Sequence, residues 1–451
     1  MEDTIVAIST ALGVGAISIV RISGPNAIKF VNKIWKGPDL EQAPTHTIHY
    51  GHIVDSDLIV DEVLVMLMRA PKTYTGEDTI EINCHGGIAT TNKIVELCLQ
   101  AGCRFAEPGE FTKWRFLNGR IDLTQADGVM DLIEAKTEEA RKMAMNTAKG
   151  NVSKLIRCLR QQIIEVLANI EVNIDYPEYE DIEELTLAKI TPLLDQMETD
   201  MDHILNESKN GQLIKEGIKT CIIGRPNVGK SSLLNALLEE EKAIVTSIAG
   251  TTRDIVEGTI NLNGMLLHMI DTAGIRETDD LVEKIGVEKS LTLAKEADLV
   301  LFVLNYNTPM NDEERQILQQ IKDKNHLIIL NKVDLDQKID MELLKEEVVI
   351  PMSVTEGQGI DQLKHQIKIL FDLDRINTGD FTYLTNARGL NLLKKAKISL
   401  NEVRKGIQSN MPIDMIELDL KEIWNILGEM IGESYEEELI DQLFSQFCLG
   451  K

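Results

Sequence analysis

The sequence predicts a multidomain protein: a doubly wound, mostly parallel α/β domain inserted into a discontinuous all-α domain, preceded by an α+β domain. From Lys219 to about Asp374, strand-like apolar runs (TCIIG, LLHMID, DLVLFVL, HLIILN) alternate with helical stretches. That alternation marks parallel strands joined by helical crossovers. Helical periodicity flanks this stretch on both sides. The 451 residues also exceed the length of one domain about threefold, so two or three domains are expected.

Residues 1–118 mix β-rich runs (ISIVRIS, DEVLVMLM, TIEINC) with Gly-Pro punctuation such as SGP, APKTYTGED and EPGE, which reads as α+β. In 119–215 the pattern turns helical. Ile156, Ile163 and Ile170 recur at seven, with Leu155, Leu159 and Leu167 beside them, a seam suited to helix packing. The interval 175–184 (DYPEYEDIEE) holds six acidic residues and no basic one, and is expected to be a solvated loop. The α/β domain takes 216–375. In 376–451 helical texture returns, with Ile416, Leu420, Ile423, Leu427 and Met430 at three- and four-residue spacings. This last segment is too short for a core of its own, so it is expected to pack on 119–212.

Composition narrows the function. Hydrophobic residues at 43% and charged ones at 27% describe a globular chain. A net charge of −26 argues against a broad basic surface that holds nucleic acid by counterion release. A local basic groove or a basic partner stays open. The six cysteines (Cys84, Cys98, Cys103, Cys158, Cys221, Cys448) form no CxxC pair, against a zinc ribbon or thioredoxin-like centre. The N-terminus MEDTIVAIST has no signal layout, and no apolar run approaches the roughly 18 residues of a membrane span. A cytoplasmic protein with no membrane contact is expected.

The strongest local signal is Gly224-Arg-Pro-Asn-Val-Gly229-Lys230-Ser231, a GxxxxGK[ST] run between a strand-like segment and the helical SSLLNALL. Its glycines let backbone N–H groups wrap phosphates at a helix N-terminus. Lys230 is expected to reach the β- and γ-phosphates and Ser231 to hold Mg²⁺. Asp271-Thr272-Ala273-Gly274 ends another strand and places a carboxylate near the magnesium. Gly250-Thr251-Thr252-Arg253-Asp254 offers the Thr252 hydroxyl to complete the metal shell. After LIIL comes Asn331-Lys332-Val-Asp334. The Asp334 carboxylate can accept from guanine N1–H and N2–H₂, which adenine lacks, a penalty on ATP of ~2–4 kcal/mol. Lys332 can lie along the ring.

Four motifs in order, each after a strand, predict a GTPase. Candidate GTP contacts are Asn227, Val228, Gly229, Lys230, Ser231 and Ser232; Thr246, Ser247, Ile248, Ala249, Gly250, Thr251 and Thr252; Asp271 to Gly274; Asn331, Lys332 and Asp334; and Ser353 with Val354, where GTPases usually have Ser-Ala. Ile275 follows DTAG where many signalling GTPases carry a water-orienting Gln. An apolar residue cannot hold water, so help must come from elsewhere. The Asn227 side-chain carbonyl, with carbonyls of Thr246, Ile248 and Thr251, can form an oxygen cage for K⁺.

The chain resembles the MnmE (TrmE) family of tRNA-modification GTPases over essentially its full length. The resemblance rests on DTIVAISTALGVGAISIVRISG, YTGEDTIEINCHGG, PGEFTKWRFLNGRIDLTQAD and the terminal Phe447-Cys448-Leu449-Gly450-Lys451, close to FCIGK. It implies a homodimer formed through N-terminal folate-binding domains. With the FAD-containing partner MnmG, such a protein adds a carboxymethylaminomethyl or aminomethyl group to C5 of the wobble uridine of certain tRNAs. The carbon comes from a tetrahydrofolate derivative, a 5-formyl or methylene form. Folate positions carry over to Arg21, Glu81, Arg120 and Lys451. Arg120 is often Lys in the family. Cys448, by default a small buried hydrophobe, is implied in tRNA modification. Glu283 in LVEKIG is implied to orient water indirectly, and the cage loop to join two G domains. CHGG, with Cys84 and His85, reads as a turn beside the folate pocket.

Two other readings are open to a GTPase: an RNA or ribosome-assembly binding factor without base chemistry, and a stand-alone folate-dependent aminomethyltransferase. The first calls for an appended basic module such as a KH domain, whose GXXG loop is not evident. The second needs neither the FCLGK terminus nor a nucleotide switch flanked by helices.

Overall fold

The computed structural model describes residues 3–175, 180–240, 258–262, 264–270, 286–371, 384, 386–409, 411–434 and 437–450. The chain forms two compact units. One comprises Met1–Met130, Ala148–Leu193 and Lys395–Lys451, the other Asp131–Thr147 and Leu194–Lys394. The dividing points fall inside helices, whereas the sequence suggested boundaries at 118/119, 215/216 and 375/376.

The first unit opens with β1 (Ile5–Ile8), β2 (Ile17–Ser23), α1 (Ala27–Ile34), β3 (Trp35–Lys36), β4 (Thr47–Asp55), β5 (Leu58–Met68), β6 (Thr79–His85), α2 (Ile88–Ala101) and β7 (Arg104–Phe105). Sheet order is β3-β4-β5-β6-β2-β1-β7. Alternation sets its two faces. Val20, Ile22, Val63, Val65, Leu67, Ile80 and Ile82 join the core with Ile28, Val31, Ile94 and Val95 of α1 and α2. Arg21 and Glu81, directly opposite each other on antiparallel β2 and β6, therefore share the other face. In chain order α3 (Glu110–Leu117), α4 (Leu123–Glu134), α5 (Glu138–Ala148), α6 (Asn151–Asp175) and α7 (Glu180–Glu216) follow, of which α5 up to Thr147 and α7 from Leu194 on belong to the second unit. Asp122 precedes α4 and accepts the Gln125 N–H at 3.0 Å, satisfying one of the helix's orphan donors. Its carboxylate also takes Ser153 at 2.8 Å and Arg157 at 3.0 Å, both from α6.

The second unit holds β8 (Ile218–Ile223), α8 (Lys230–Glu240), β9 (Thr259–Leu262), β10 (Met265–Met269), α9 (Gly286–Glu296), β11 (Leu299–Asn305), α10 (Asp312–Ile321), β12 (His326–Asn331), β13 (Val349–Met352) and α11 (Ile360–Leu370). Strand order is β13-β12-β11-β8-β10-β9, parallel except for antiparallel edge strand β9. Central β11 is buried on both faces, as a parallel strand covered by helices must be. Leu299, Leu301 and Val303 enter one core; Val300, Phe302 and Leu304 enter the other. This is the doubly wound sheet that the alternating texture predicted.

The remaining helices are α12 (Ala387–Gln408), α13 (Ile413–Ile431) and α14 (Glu437–Phe444). In the first unit α13 packs on α6. The α6 seam Ile156, Leu159, Ile163, Val166 and Ile170 is fully buried, as are Leu420, Ile423, Leu427 and Met430 of α13. Burying each such side chain contributes about 1.5–3 kcal/mol. One expectation fails: of the acidic run, 176–179 lie outside the described residues, but 180–184 lie in helix α7. Glutamate forms helices readily, so a run of acidic residues is compatible with helix. Among the described residues no helix is long and apolar enough to cross a membrane.

Candidate functional site

In the second unit, the chain leaves β8 at Gly224 and re-enters helix at Lys230. The loop between is held by close backbone approach. A Cβ on Gly224 would lie 2.4 Å from the Val303 carbonyl oxygen of β11, and one on Gly229 (φ 104°) would lie 2.1 Å from Asn331 Nδ2. Asn331, at the end of β12, donates to the Val228 carbonyl at 2.8 Å and accepts the Val354 N–H at 3.3 Å. Lys332 donates to the Asn227 carbonyl at 2.8 Å. Lys230 Nζ donates to the carbonyls of Gly224 and Arg225 at 2.8 and 2.7 Å. Both Asn227 (φ 61°) and Lys332 (φ 66°) are left-handed, a conformation that side chains rarely adopt and that clusters at functional sites. Asp334 is exposed and accepts the buried Ser353 hydroxyl at 2.7 Å. One loop thus collects an ammonium and the first turn of α8, while a fixed carboxylate stands just past the end of β12. That arrangement suits a purine nucleotide with its phosphates on the loop.

In the first unit, the face of the N-terminal sheet opposite its helices carries a second polar cluster. Arg21 Nε donates to Glu81 Oε1 at 2.8 Å, and Arg21 Nη1 to the Gly450 carbonyl at 3.2 Å. Ser9 Oγ reaches the same carbonyl at 3.1 Å. The C-terminal tail is thereby tied to β2. Phe444 and Phe447 anchor it below, with ring centroids 5.0 Å apart and Phe444 6.1 Å from Phe116. Gly109, left-handed at the start of α3, donates to the Cys448 carbonyl at 3.2 Å. The Arg21 guanidinium lies 5.2 Å from the Tyr74 ring and 5.6 Å from that of Phe111. The Arg115 guanidinium lies 4.7 Å from the same Tyr74 ring, and its buried Nε has no hydrogen-bond partner.

Residues 4–120 match the family model described as the GTP-binding protein TrmE N-terminus, and residues 123–448 match that of the MnmE helical domain. The tRNA modification GTPase MnmE of Bacillus cytotoxicus is 54% identical over 455 aligned positions, covering 100% of this chain and 99% of that protein. The chain belongs to the MnmE family of tRNA-modification GTPases. The Bacillus mycoides protein of the same name is also 54% identical, with the same coverage. Among solved structures, the G-domain of FeoB from Methanococcus jannaschii is 26% identical over 34% of this chain and 98% of its own length, with a TM-score of 0.26.

Against the MnmE pattern, the structure brings together Asn227, Val228, Gly229, Lys230, Asn331, Lys332, Asp334, Ser353 and Val354. Ser231 and Ser232 lie in the first turn of α8. The segment from Thr246 to Thr252, the run from Asp271 to Gly274, Glu283 and Lys451 lie outside the described residues. Val354 meets the site through its backbone, so the change from Ala leaves that contact in place. Arg21 and Glu81 meet directly, whereas Arg120 is exposed and donates to the Pro71 carbonyl. Sequence reading missed Tyr74 and Arg115. Tyr74 stands in the YTGED run; nothing in the spacing shows that it sits between two guanidiniums.

The cysteines separate by burial. Desolvation pushes the Cys84 and Cys98 thiols up, and those of Cys103 and Cys221 to about 12, so these four stay protonated. Cys448 is exposed, not the buried hydrophobe of the default reading. His85 ends β6 and bonds Asp61 at 2.7 Å, and no cluster among the described residues could hold a metal ion through His, Cys, Asp and Glu.

The geometry at Asp334 gives a sharp expectation. Asp334→Asn weakens GTP by about 10- to 1,000-fold, the loss of a carboxylate that pairs with two guanine N–H groups. It improves xanthosine triphosphate, whose altered base edge an amide can pair. Competition binding with both nucleotides checks this; equal loss of both would show that Asp334 does not read the base.

Proposed function

We propose that this chain couples GTP hydrolysis to modification of C5 of the wobble uridine in certain tRNAs, adding a carboxymethylaminomethyl or aminomethyl group. It acts in the cytoplasm as a homodimer, together with the FAD-dependent partner MnmG, and takes its carbon from a tetrahydrofolate derivative. The reading rests on full-length membership of the MnmE family, and the observation that carries it furthest is the tail bearing Cys448 tied to Arg21 beside Glu81.

The residues present fit these groups. In the phosphate loop, Lys230 neutralises phosphate charge, the loop N–H groups orient the phosphates, and Asp334 selects guanine. Asn227 is exposed and left-handed, leaving its side-chain oxygen free to join a cation cage with Thr246, Ile248 and Thr251. Ser231 and Thr252 are the residues that would hold Mg²⁺. When bound, the two cations supply charge neutralisation at the transferring phosphoryl group, which Ile275 cannot supply. In the N-terminal cluster, Glu81 suits the amide-like donor edge of a pterin, and Arg21, Arg120 and Lys451 suit an anionic glutamate tail. The partner contributes most of the basic surface that tRNA binding needs and that a chain of net charge −26 lacks.

Mass spectrometry of nucleosides from tRNA of cells lacking this chain tests the reading. Loss of the aminomethyl-type substituents from wobble uridine is expected. Unchanged wobble uridines would overturn it.

A further inference from the structure

The phosphate loop has a holdfast outside its nucleotide motifs. Arg225, the first variable residue of GxxxxGKS, turns its side chain toward α10. Arg225 Nε donates to Glu314 Oε1 at 2.6 Å, and its Nη2 to Thr308 Oγ1 at 3.0 Å and the Pro309 carbonyl at 3.4 Å. The Glu314 side chain is 1% exposed. Its other oxygen accepts the Asn311 N–H at 3.0 Å, while its own N–H donates to Asn311 Oδ1 at 2.8 Å, closing a capping box at the start of α10. The buried carboxylate is thus shared between the helix terminus and the loop, and neither oxygen is wasted.

Three acceptors around one guanidinium fix a direction as well as a charge, which a lysine cannot reproduce. Two residues further on stands Asn227 in its left-handed conformation. Its carbonyl is held by Lys332, and the Arg225 carbonyl by Lys230. Without the Arg225 side chain, the stem of the loop before Asn227 is held only through backbone carbonyls, and Glu314 becomes a buried charge without its cation.

We infer that the Arg225–Glu314 pair positions Asn227 for monovalent-cation binding, making Arg225 a positioning residue for GTP hydrolysis that touches neither nucleotide nor cation. The inference rests on the reading of Asn227 as a potassium ligand. Its consequence is specific: loosening the pair degrades the cation response more than nucleotide affinity, because Lys230, Asn331 and Asp334 stay in place.

The test uses the full-length chain, unchanged and as Glu314→Gln, Arg225→Lys and Thr308→Val. Glutamine at 314 can still close the capping box but carries no charge. GTP hydrolysis is titrated with potassium against sodium at constant ionic strength, and GDP affinity is measured in parallel. For Glu314→Gln the potassium concentration for half-maximal stimulation is expected to rise about tenfold, since displacement of a catalytic group by an ångström costs rate up to about a hundredfold. GDP affinity stays within about threefold. Arg225→Lys falls between this and the unchanged chain. Thr308→Val, which keeps the ion pair and the fold, shifts the response about twofold in the same direction. A half-maximal potassium concentration that is unchanged in all three variants, or an equal rate loss in both salts, would overturn the inference while leaving the potassium reading intact. Equal rates in both salts for the unchanged chain would defeat the potassium reading and the inference with it.

Discussion

Replacing Cys448 with serine is expected to abolish wobble-uridine modification in cells while leaving GTP hydrolysis within about twofold of the unchanged protein. The tail does not depend on the thiol for its position. It is held by the Cys448 carbonyl on the Gly109 N–H, by the Gly450 carbonyl on Arg21 and Ser9, and by the tilted ring contact of Phe444 and Phe447. Serine preserves all of these. What it removes is an exposed sulfur nucleophile, for which a hydroxyl is a poor substitute. The four buried cysteines cannot substitute, since burial keeps their thiols protonated. Nucleoside mass spectrometry beside a steady-state GTPase assay decides the matter. A hydrolysis defect as large as the modification defect would show that Cys448 serves folding instead.

Gly229→Ala is expected to lower GDP and GTP affinity by at least about a hundredfold. Gly229 adopts φ 104°, where a side chain is strained by about 1–3 kcal/mol. The added methyl would also sit 2.1 Å from Asn331 Nδ2, so the amide that holds the Val228 carbonyl must leave. Breaking that bond frees the loop just before Lys230 and adds about 1–3 kcal/mol for an unsatisfied buried carbonyl. Together these reach the roughly 2.7 kcal/mol of a hundredfold change. Fluorescent-GDP titration measures it directly. Affinity within about threefold of the unchanged protein would mean that the loop has more freedom than its contacts indicate.

The fold was legible wherever burial wrote a pattern into neighbouring residues. The run DLVLFVL is apolar on both faces because β11 is covered on both, and the seven-residue recurrence of Ile156, Ile163 and Ile170 lies along one buried seam. The acidic run at 180–184 misled because charge resembles a loop, yet glutamate is also a good helix former. The nucleotide loop was legible because its chemistry sits in contiguous motifs. The Arg225–Glu314 pair spans 89 positions and was not, since only the folding of α10 beside the loop brings the two together. Tyr74 and Arg115 are hidden for the same reason: only the fold brings Arg21 of β2 and Arg115 of α3 around one ring.

The proposed coupling of hydrolysis to base modification is open to a direct measurement by reconstitution. The purified chain is combined with the FAD-dependent partner, substrate tRNA and a tetrahydrofolate derivative carrying a ¹³C one-carbon unit, with either GTP or a non-hydrolysable analogue. Mass spectrometry then reads the wobble nucleoside. Label in the C5 substituent with GTP, and little or none with the analogue, is the expected result. Unlabelled product, or equal labelled yield with both nucleotides, would contradict it.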